Sequence, residues 1–457
     1  MPDTTLNSRQ RALAITALQV VIVLVALFLM GRGHSQLAIA LLVVPIQLCL
    51  MLLISGSSSN IMRYIVVLLP ASMFELLPYV YMHLAVYAGG IILLSVVAPT
   101  AGSDDTARKP KTGTGNTVPL ALFAVAVVLA AANAYLRGWA GADLPRYCFS
   151  AGLFLGAVWL FGARPESSKE VRRLLDLMMI SYAVIGIALP LVAYSITADM
   201  LSEIILSPHG AVNRNVVGAH ASTAASYLLV RAVLERRWGA RVLRVLLLCV
   251  PLVVLVFTGS RGAWLGFGAS FLYLVFVVRS VWLFWLSLTF GSVLITGDIV
   301  RALVMTRVQA TGAVDPSLLG RLLLWRFGLV VGLNNWLTGV GFLNFRHVKH
   351  SYGFPWPRAV GLPYNTHNLY LEFFTSLGIV GLVAFVWLLM LGIVAAHKSR
   401  YGLSGRLRPE SIGIAAMLIG VAVHGMLDAV IWQHGMLMLL GVLLGLAGAL
   451  RRLNGRV

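Results

Sequence analysis

The chain has 457 residues, of which 59% are hydrophobic and only 11% are charged. This composition leaves too little polar surface to cover a water-soluble globule of this size, so it excludes a soluble globular enzyme and favours a multi-pass membrane protein. The formal net charge of +19 comes mainly from arginine, since only five of the 35 basic residues are lysine. Arginine keeps its charge when desolvated and can bind phosphate through two N–H groups, so part of the excess suits an anionic ligand.

The first apolar run, residues 12–31, is long enough to cross a membrane and follows Arg9 and Arg11 without a clear cleavage site. We expect it to be retained as the first helix. Together with this run, the later ones predict about twelve to fourteen transmembrane helices. The later runs are 36–55, 61–74, 78–98, 118–137, 147–163, 171–196, 215–234, 242–258, 262–279, 281–296, 368–397, 410–430 and 434–450. The predicted fold class is therefore an all-α polytopic membrane protein.

Basic residues alternate between the connections of these runs. The basic connections are 108–111, 169–173, 236–244 and 398–408, and the tail at 451–452 is also basic. Because basic loops remain in the cytoplasm, both termini are predicted to be cytoplasmic. Arginines in the opposite, outer connections run against this charge rule, which indicates a functional or packing role for them.

The longest polar interruption, residues 297–367, divides the chain into membrane helices at 1–296, a large outer loop and membrane helices at 368–457. The loop is basic and aromatic, and its acidic residues are Asp298 and Asp315. Within it, residues 318–333 predict an amphipathic helix at the membrane interface, whereas the Gly, Pro and aromatic content of 339–364 argues against a regular helix. Such a loop suits an anionic, lipid-linked substrate.

Two arginines stand where outer connections meet helices. Arg214 lies between two asparagines, either of which can cap the helix, so an anion could bind beside its guanidinium at the helix start. Snorkelling to the interface is the alternative reading of Arg214. Arg261 occupies a glycine-flanked corner that a ligand could approach closely. A structural ion pair with Asp298 or Asp428 is the alternative for Arg261.

Further candidates lie in the large loop and at its end. Arg321 and Trp325 are four residues apart and should share one face of the predicted helix, although stacking of the two side chains without a ligand is an alternative. Arg346, later in the loop, and Asn368, just after it, are also predicted to bind substrate. None of these four residues is diagnostic alone.

His367 is the best candidate for a proton-handling residue, because it closes the large loop at the start of a helix. Nearby arginines should favour its neutral, basic form, whereas a capping or packing role is the alternative. His424 and Asp428, one helical turn apart, are interpreted as a structural pair, the alternative being a pair that orients a catalytic group.

The outer side has no Asp-x-Asp pair for a divalent metal, and the cysteines lie in or beside apolar runs. We therefore predict no metal, no cofactor and no disulfide.

Three spaced motifs, combined with the large loop, resemble the O-antigen ligase and polymerase superfamily, and within it the ligases. They are the Arg-x₃-Leu pattern at Arg261 to Leu265, the Gly-x-Gly-x₃-Phe pattern at Gly339 to Phe345, and the His-x₁₀-Gly pattern at His367 to Gly378. The resemblance implies about twelve transmembrane helices in a GT-C-like arrangement. It also implies transfer of a polysaccharide from undecaprenyl pyrophosphate to a sugar hydroxyl of lipid A core, without metal and with inversion, at the periplasmic face of the bacterial inner membrane.

In that reaction, the resemblance implies that Arg214, Arg261 and Arg321 hold the pyrophosphate while His367 accepts the proton of the attacking hydroxyl. The expected partners are the lipid-linked donor glycan, the lipid A core and membrane lipids, with no nucleic acid. An O-antigen polymerase and a protein-glycosylating ligase are the nearest alternatives. A transporter of lipid-linked glycans is a different class, and it predicts polar residues along the interior of many helices.

Overall fold

The computed structural model describes residues 62–63, 65–67, 69–70, 117–139, 144–195, 213–289, 292, 316–352, 365–401 and 407–454. The regular elements in these ranges are helices, and an isolated β-bridge joins Tyr401 to Leu407. The apolar runs predicted at 12–31, 36–55 and 78–98 lie outside the described residues, as does half of 61–74. The predicted total of about twelve to fourteen helices is therefore not tested.

Where the structure describes them, the apolar runs from residue 118 onward coincide with helices. The helices are α1 Thr117–Leu136, α2 Leu144–Ala163, α3 Ser168–Ser195, α4 Arg214–Leu234, α5 Trp238–Thr258, α6 Arg261–Val278, α7 Pro316–Asn334, α8 Phe345–Val348, α9 Leu369–Lys398, α10 Pro409–Gly425 and α11 His434–Asn454. Residues 281–289 are also helical, and 3₁₀ turns occupy Lys349–Tyr352 and Val430–Trp432. Hydropathy alone therefore located these helices, apart from α7 and α8, which lie in the predicted outer loop. Within 339–364, for which no regular helix was predicted, α8 and the 3₁₀ turn that follows it span four residues each.

Six helices in the described ranges are long and apolar enough to cross a membrane. They are α1, α4, α5, α6, α9 and the Gly435–Asn454 part of α11, while α10 and the Tyr147–Ala163 part of α2 are shorter and apolar. Large hydrophobic side chains on the outer faces of α1 and α5 are exposed, as expected for surfaces that contact lipid. These features fit a polytopic membrane protein.

Helix α4 lies at the centre of the bundle, and nearly all of its residues from Val216 to Ala232 are buried. It packs against α5, α6 and α10, while α11 packs along α2 and α9. The close approach depends on small residues, because a Cβ added at Gly218 would lie 2.9 Å from Cβ of Ser260 and 3.0 Å from Cβ of Ala263. In lipid the hydrophobic effect does not drive helices together, so their association depends on the close packing that small residues allow.

Charged pairs gather at the bundle end that the charge rule places in the cytoplasm. Asp176 on α3 binds Arg231 at 3.2 Å and Arg244 at 3.3 Å, and the buried Glu410 binds Arg172 at 2.8 Å. These ion pairs join helix ends that are all predicted to face the cytoplasm, namely the end of α4 and the beginnings of α3, α5 and α10. The orientation of this end in a membrane stays a prediction.

The helix predicted at 318–333 is confirmed as α7, but its predicted amphipathic character is wrong. One side of α7 packs inward through Leu324, Phe327 and Val331, next to Phe345 and Val348. The other side exposes apolar residues, namely Leu322, Leu329, Val330 and Leu333. No charged residue follows Arg326 in α7, and the stretch from Phe327 to Leu333 is apolar all round. This surface suits contact with hydrocarbon more than with water.

Candidate functional site

The start of α9 is fixed by Asn368, the residue before its first turn. The side-chain oxygen of Asn368 accepts hydrogen bonds from the backbone N–H groups of Tyr370 and Leu371, both at 3.0 Å. Its amide nitrogen donates to the carbonyl of Met426 at 2.9 Å. Asn368 thus caps α9 and ties it to the connection that follows α10. Its predicted role in substrate binding stays a prediction beside this structural one.

His367 has a left-handed backbone conformation with φ of 50°, which is uncommon for a residue other than glycine. Its N–H donates to the side-chain oxygen of Asn365 at 2.8 Å, and its carbonyl accepts from the indole N–H of Trp325 at 3.4 Å. These two contacts hold a conformation that would otherwise be strained. Such strain tends to persist where it serves a site, because the surrounding structure must compensate for it.

The imidazole of His367 contacts a buried carboxylate. Nδ1 of His367 lies 3.0 Å from Oδ1 of Asp428, and the His367 side chain is 30% exposed whereas that of Asp428 is 4% exposed. The other oxygen of Asp428 accepts a hydrogen bond from the side-chain amide of Asn215. In the neutral imidazole, Nδ1 then carries the proton that it donates to Asp428, which leaves Nε2 as the acceptor. This arrangement can orient a general base.

The charges around His367 set its protonation in a way the sequence did not indicate. Burial favours the neutral imidazole, but the carboxylate of Asp428 outweighs burial through its charge and its hydrogen bond, so the pKa of His367 is raised. Arg321 acts in the opposite sense with a smaller effect. Burial alone would raise the pKa of Asp428, but the charge and hydrogen bond of His367 lower it to about 2. Arg321 thus favours the neutral imidazole as predicted, but the expected net effect is wrong, because Asp428 outweighs Arg321.

His424 and Asp428 do not form the predicted side-chain pair. The contact between them is a backbone hydrogen bond, from the N–H of Asp428 to the carbonyl of His424 at 3.1 Å. Among the described residues, neither ring nitrogen of the buried His424 has a hydrogen-bond partner, and its ring lies against Gly262. Asp428 instead orients His367, which corresponds to the alternative reading of this acid.

The predicted arginines begin two helices and lie on a third. Arg214 is the first residue of α4, after Asn213, whose side chain caps the helix by accepting from the N–H of Asn215 at 2.9 Å. Arg261 is the first residue of α6, and both Arg214 and Arg261 are exposed. Since Asn215 binds Asp428, the start of α4 adjoins the His367 site.

The other arginines complete the same end of the bundle. Gly262, next to Arg261, lies against His424 on α10, so the start of α6 also adjoins the corner that holds Asp428. Arg321 on α7 is partly buried and close enough to influence the pKa of both His367 and Asp428. Arg346 lies on α8, and its side chain is outside the described residues. The structure thus gathers Arg321 and the two helix starts around His367.

The two glycine motifs of the sequence form one structural unit. Helix α9 kinks at Gly378, which has φ of 68° and ψ of −169°. The kink frees backbone carbonyls, and the N–H groups of Val340 and Gly341 donate to the carbonyls of Thr375 at 2.9 Å and Ser376 at 3.1 Å. The Gly-x-Gly segment is therefore held by the backbone of the kinked helix.

Only glycine fits at the centre of this contact. A Cβ added at Gly339 would lie 2.3 Å from the carbonyl oxygen of Ser376, and one added at Gly378 would lie 2.4 Å from that of Leu337. Both glycines also have positive φ values. The spacing of the His-x₁₀-Gly motif therefore reflects the three helical turns between His367 and the kink.

Glu372, a buried acid that was not predicted to belong to the site, holds the segment just before His367 by hydrogen bonds. Glu372 on α9 accepts hydrogen bonds from the N–H of Thr366 at 2.9 Å and from its hydroxyl at 3.0 Å. Ser376 donates to the other carboxylate oxygen at 3.3 Å. The presence of one acid in an otherwise apolar run was the sequence signal that could have identified Glu372.

Across the described ranges, no three His, Cys, Asp or Glu side chains could together hold a metal ion, and metal independence stays a prediction.

Comparison with known proteins bears on the same segment. Residues 245–386 match the model of a family described as O-antigen ligase. The matched segment includes Arg261, Arg321 and His367, whereas Arg214, Asn215 and Asp428 lie outside it. A search of curated proteins gave no match.

Proposed function

We propose that this chain, whose residues 245–386 match the O-antigen ligase family, is a member of that family and transfers a polysaccharide from undecaprenyl pyrophosphate to a sugar hydroxyl of lipid A core. The observation that carries the proposal is the contact of His367 with Asp428 at the bundle end where Arg214 and Arg261 begin their helices. A membrane glycosyltransferase of this kind needs a base for the acceptor and positive charge for the leaving group, and this end supplies both.

In the proposed reaction, Nε2 of His367 takes the proton of the acceptor hydroxyl as its oxygen attacks the anomeric carbon. The bond from that carbon to the pyrophosphate breaks, and its electron pair leaves on the phosphate oxygen. Attack opposite the leaving group inverts the anomeric centre. The negative charge of Asp428 stabilises the imidazolium that forms, as the acid does in a Ser-His-Asp triad.

The arginines would bind the pyrophosphate and stabilise the charge that grows on it. Fixed positive groups act most strongly where water is excluded. Arg321 meets this condition better than Arg214 and Arg261, because it is partly buried and they are exposed. Arg214 and Arg261 are exposed at helix starts, where backbone N–H groups also favour an anion. Trp325 and Arg346 are proposed to contact substrate, Trp325 from its place beside the carbonyl of His367.

The proposed setting is the bacterial inner membrane, with both termini cytoplasmic and the site open to the periplasm. The clustering of arginine pairs at the opposite end of the bundle supports this orientation. The chain is further proposed to have about twelve transmembrane helices in a GT-C-like arrangement. The proposed reaction needs no metal, since arginines would neutralise the pyrophosphate.

The purified chain should join lipid-linked glycan to lipid A core in the presence of chelator, and a gel that separates the core from its glycosylated product measures this directly. His367→Ala serves as the inactive control against contaminating enzymes. Lengthening of glycan on the lipid carrier, with no product on lipid A core, would instead identify a polymerase. Loss of the wild-type product on adding chelator would contradict the metal-free mechanism.

Asn215→Ala should lower kcat by about tenfold with little change in KM for the donor, because one charged hydrogen bond to a buried carboxylate contributes roughly 1.5–3 kcal/mol. With less of its charge satisfied, Asp428 would attract the proton of His367 more strongly, so the acidic limb of the kcat profile should move to higher pH. Asn213→Ser keeps the cap of α4 and is the matched control. An unshifted profile in Asn215→Ala would leave Asn215 a merely structural role.

A further inference from the structure

A second polar site lies at the opposite end of the bundle, between the last turns of α9 and α11. A cavity of about 290 Å³ opens there, lined by the apolar side chains of Leu391 and Val394 and, at its charged end, by Lys398 and Arg451. None of its lining residues is acidic. The cavity therefore combines an apolar wall with two positive charges at the predicted cytoplasmic surface.

We infer that this cavity binds the phosphate headgroup of an anionic membrane lipid, whose acyl chain follows the apolar wall. The carboxyl ends of two helices carry partial negative charge, so an anion can bind here only if cations outweigh it. Lys398 and Arg451 supply that charge. A lipid bound by its phosphate here could also place its acyl chain against the apolar wall. A free phosphate has no acyl chain and could not use that wall.

Neighbouring polar groups show which side chains remain for the headgroup. Arg452 is already used, since its guanidinium donates to the carbonyls of Gly162 at 3.2 Å and Pro165 at 2.6 Å. The side-chain oxygen of Asn454 accepts from Arg408, so the rest of the Asn454 amide is a donor. Arg451 and the Asn454 amide thus face the cavity from α11 with donors, opposite Lys398 on α9.

The test uses the purified full-length chain in nanodiscs made of equal parts phosphatidylcholine and phosphatidylglycerol, with the lipid retained after detergent extraction counted by native mass spectrometry. Wild type should retain phosphatidylglycerol over phosphatidylcholine by roughly tenfold, since each cation near an anionic surface contributes several-fold to binding. Lys398→Gln with Arg451→Gln should bring this ratio close to one.

Arg173→Gln is the matched control, because Arg173 is exposed on the same predicted face but does not line the cavity. It should keep the wild-type ratio. An unchanged ratio in the double variant, or an equal fall in Arg173→Gln, would overturn the inference. Displacement of phosphatidylglycerol by millimolar inorganic phosphate would also overturn it, since the site would then take free phosphate without using the acyl chain.

Discussion

Asp428→Asn is expected to lower the rate of glycosyl transfer by about 10²- to 10⁴-fold, while the chain remains folded and expressed at the wild-type level. Asparagine has nearly the shape of aspartate, so the contact with Nδ1 of His367 can remain. Its amide, however, can donate to Nδ1 and so favours the tautomer that carries the proton on Nε2. His367 would then present a donor where the proposed reaction needs an acceptor.

The pH dependence of the residual activity of Asp428→Asn provides the sharper measurement. His367 must be neutral to accept a proton, so activity falls as pH drops through its pKa. In wild type, Asp428 raises that pKa, and the acidic limb of the kcat profile should lie above the ordinary histidine value of about 6.5. Without the carboxylate, the pKa of His367 falls and the limb should move to lower pH.

His367→Gln completes the experiment, because it removes the titrating group but keeps a polar side chain of similar reach. Its loss of activity should match that of Asp428→Asn, and the acidic limb assigned to His367 should disappear. Losses in the two single variants should not add in the double variant, since both act through one base. An acidic limb that stays in place in Asp428→Asn would show that another group titrates.

Much of the helical framework was predictable from hydropathy alone. Apolar runs such as 118–137 and 434–450 are continuous, and in a membrane the backbone must satisfy its own hydrogen bonds, so helix is the necessary outcome. Spacing does not say which face of a helix meets protein and which meets lipid. For that reason the sequence predicts an amphipathic helix at 318–333, whereas the structure exposes Leu322, Leu329 and Leu333 on α7.

The site was predictable residue by residue but not as a set of contacts. His367 stood out because it ends the large loop, and Arg214 and Arg261 because they stand at helix starts. The partner of His367 could not be read from spacing, since Asp428 follows it by 61 residues and Asn215 precedes Asp428 by 213. Local reasoning paired Asp428 with His424 because they are one turn apart. Tertiary packing brought a more distant histidine closer.

Gly378→Ala is expected to destabilise the folded chain by at least about 3 kcal/mol, because alanine rarely adopts the backbone conformation found here and its Cβ would overlap the carbonyl oxygen of Leu337. Relief requires α9 to straighten or the Gly339 segment to move away. Either change displaces the turns that lead back to His367, so transfer activity should fall at least tenfold in the protein that remains folded. Thermal unfolding of the purified chain measures the first effect.

Gly268→Ala is the control that separates the kink from a general sensitivity of membrane helices to extra volume. Gly268 lies within α6, and a Cβ there would have no heavy atom within 4 Å among its neighbours. Alanine should therefore leave the unfolding midpoint unchanged or raise it, since glycine is the poorer helix former. Gly339→Ala, which approaches the same contact from the other side, should reproduce the loss seen in Gly378→Ala. Wild-type stability in both of those variants would mean that the kink does not hold the two motifs together.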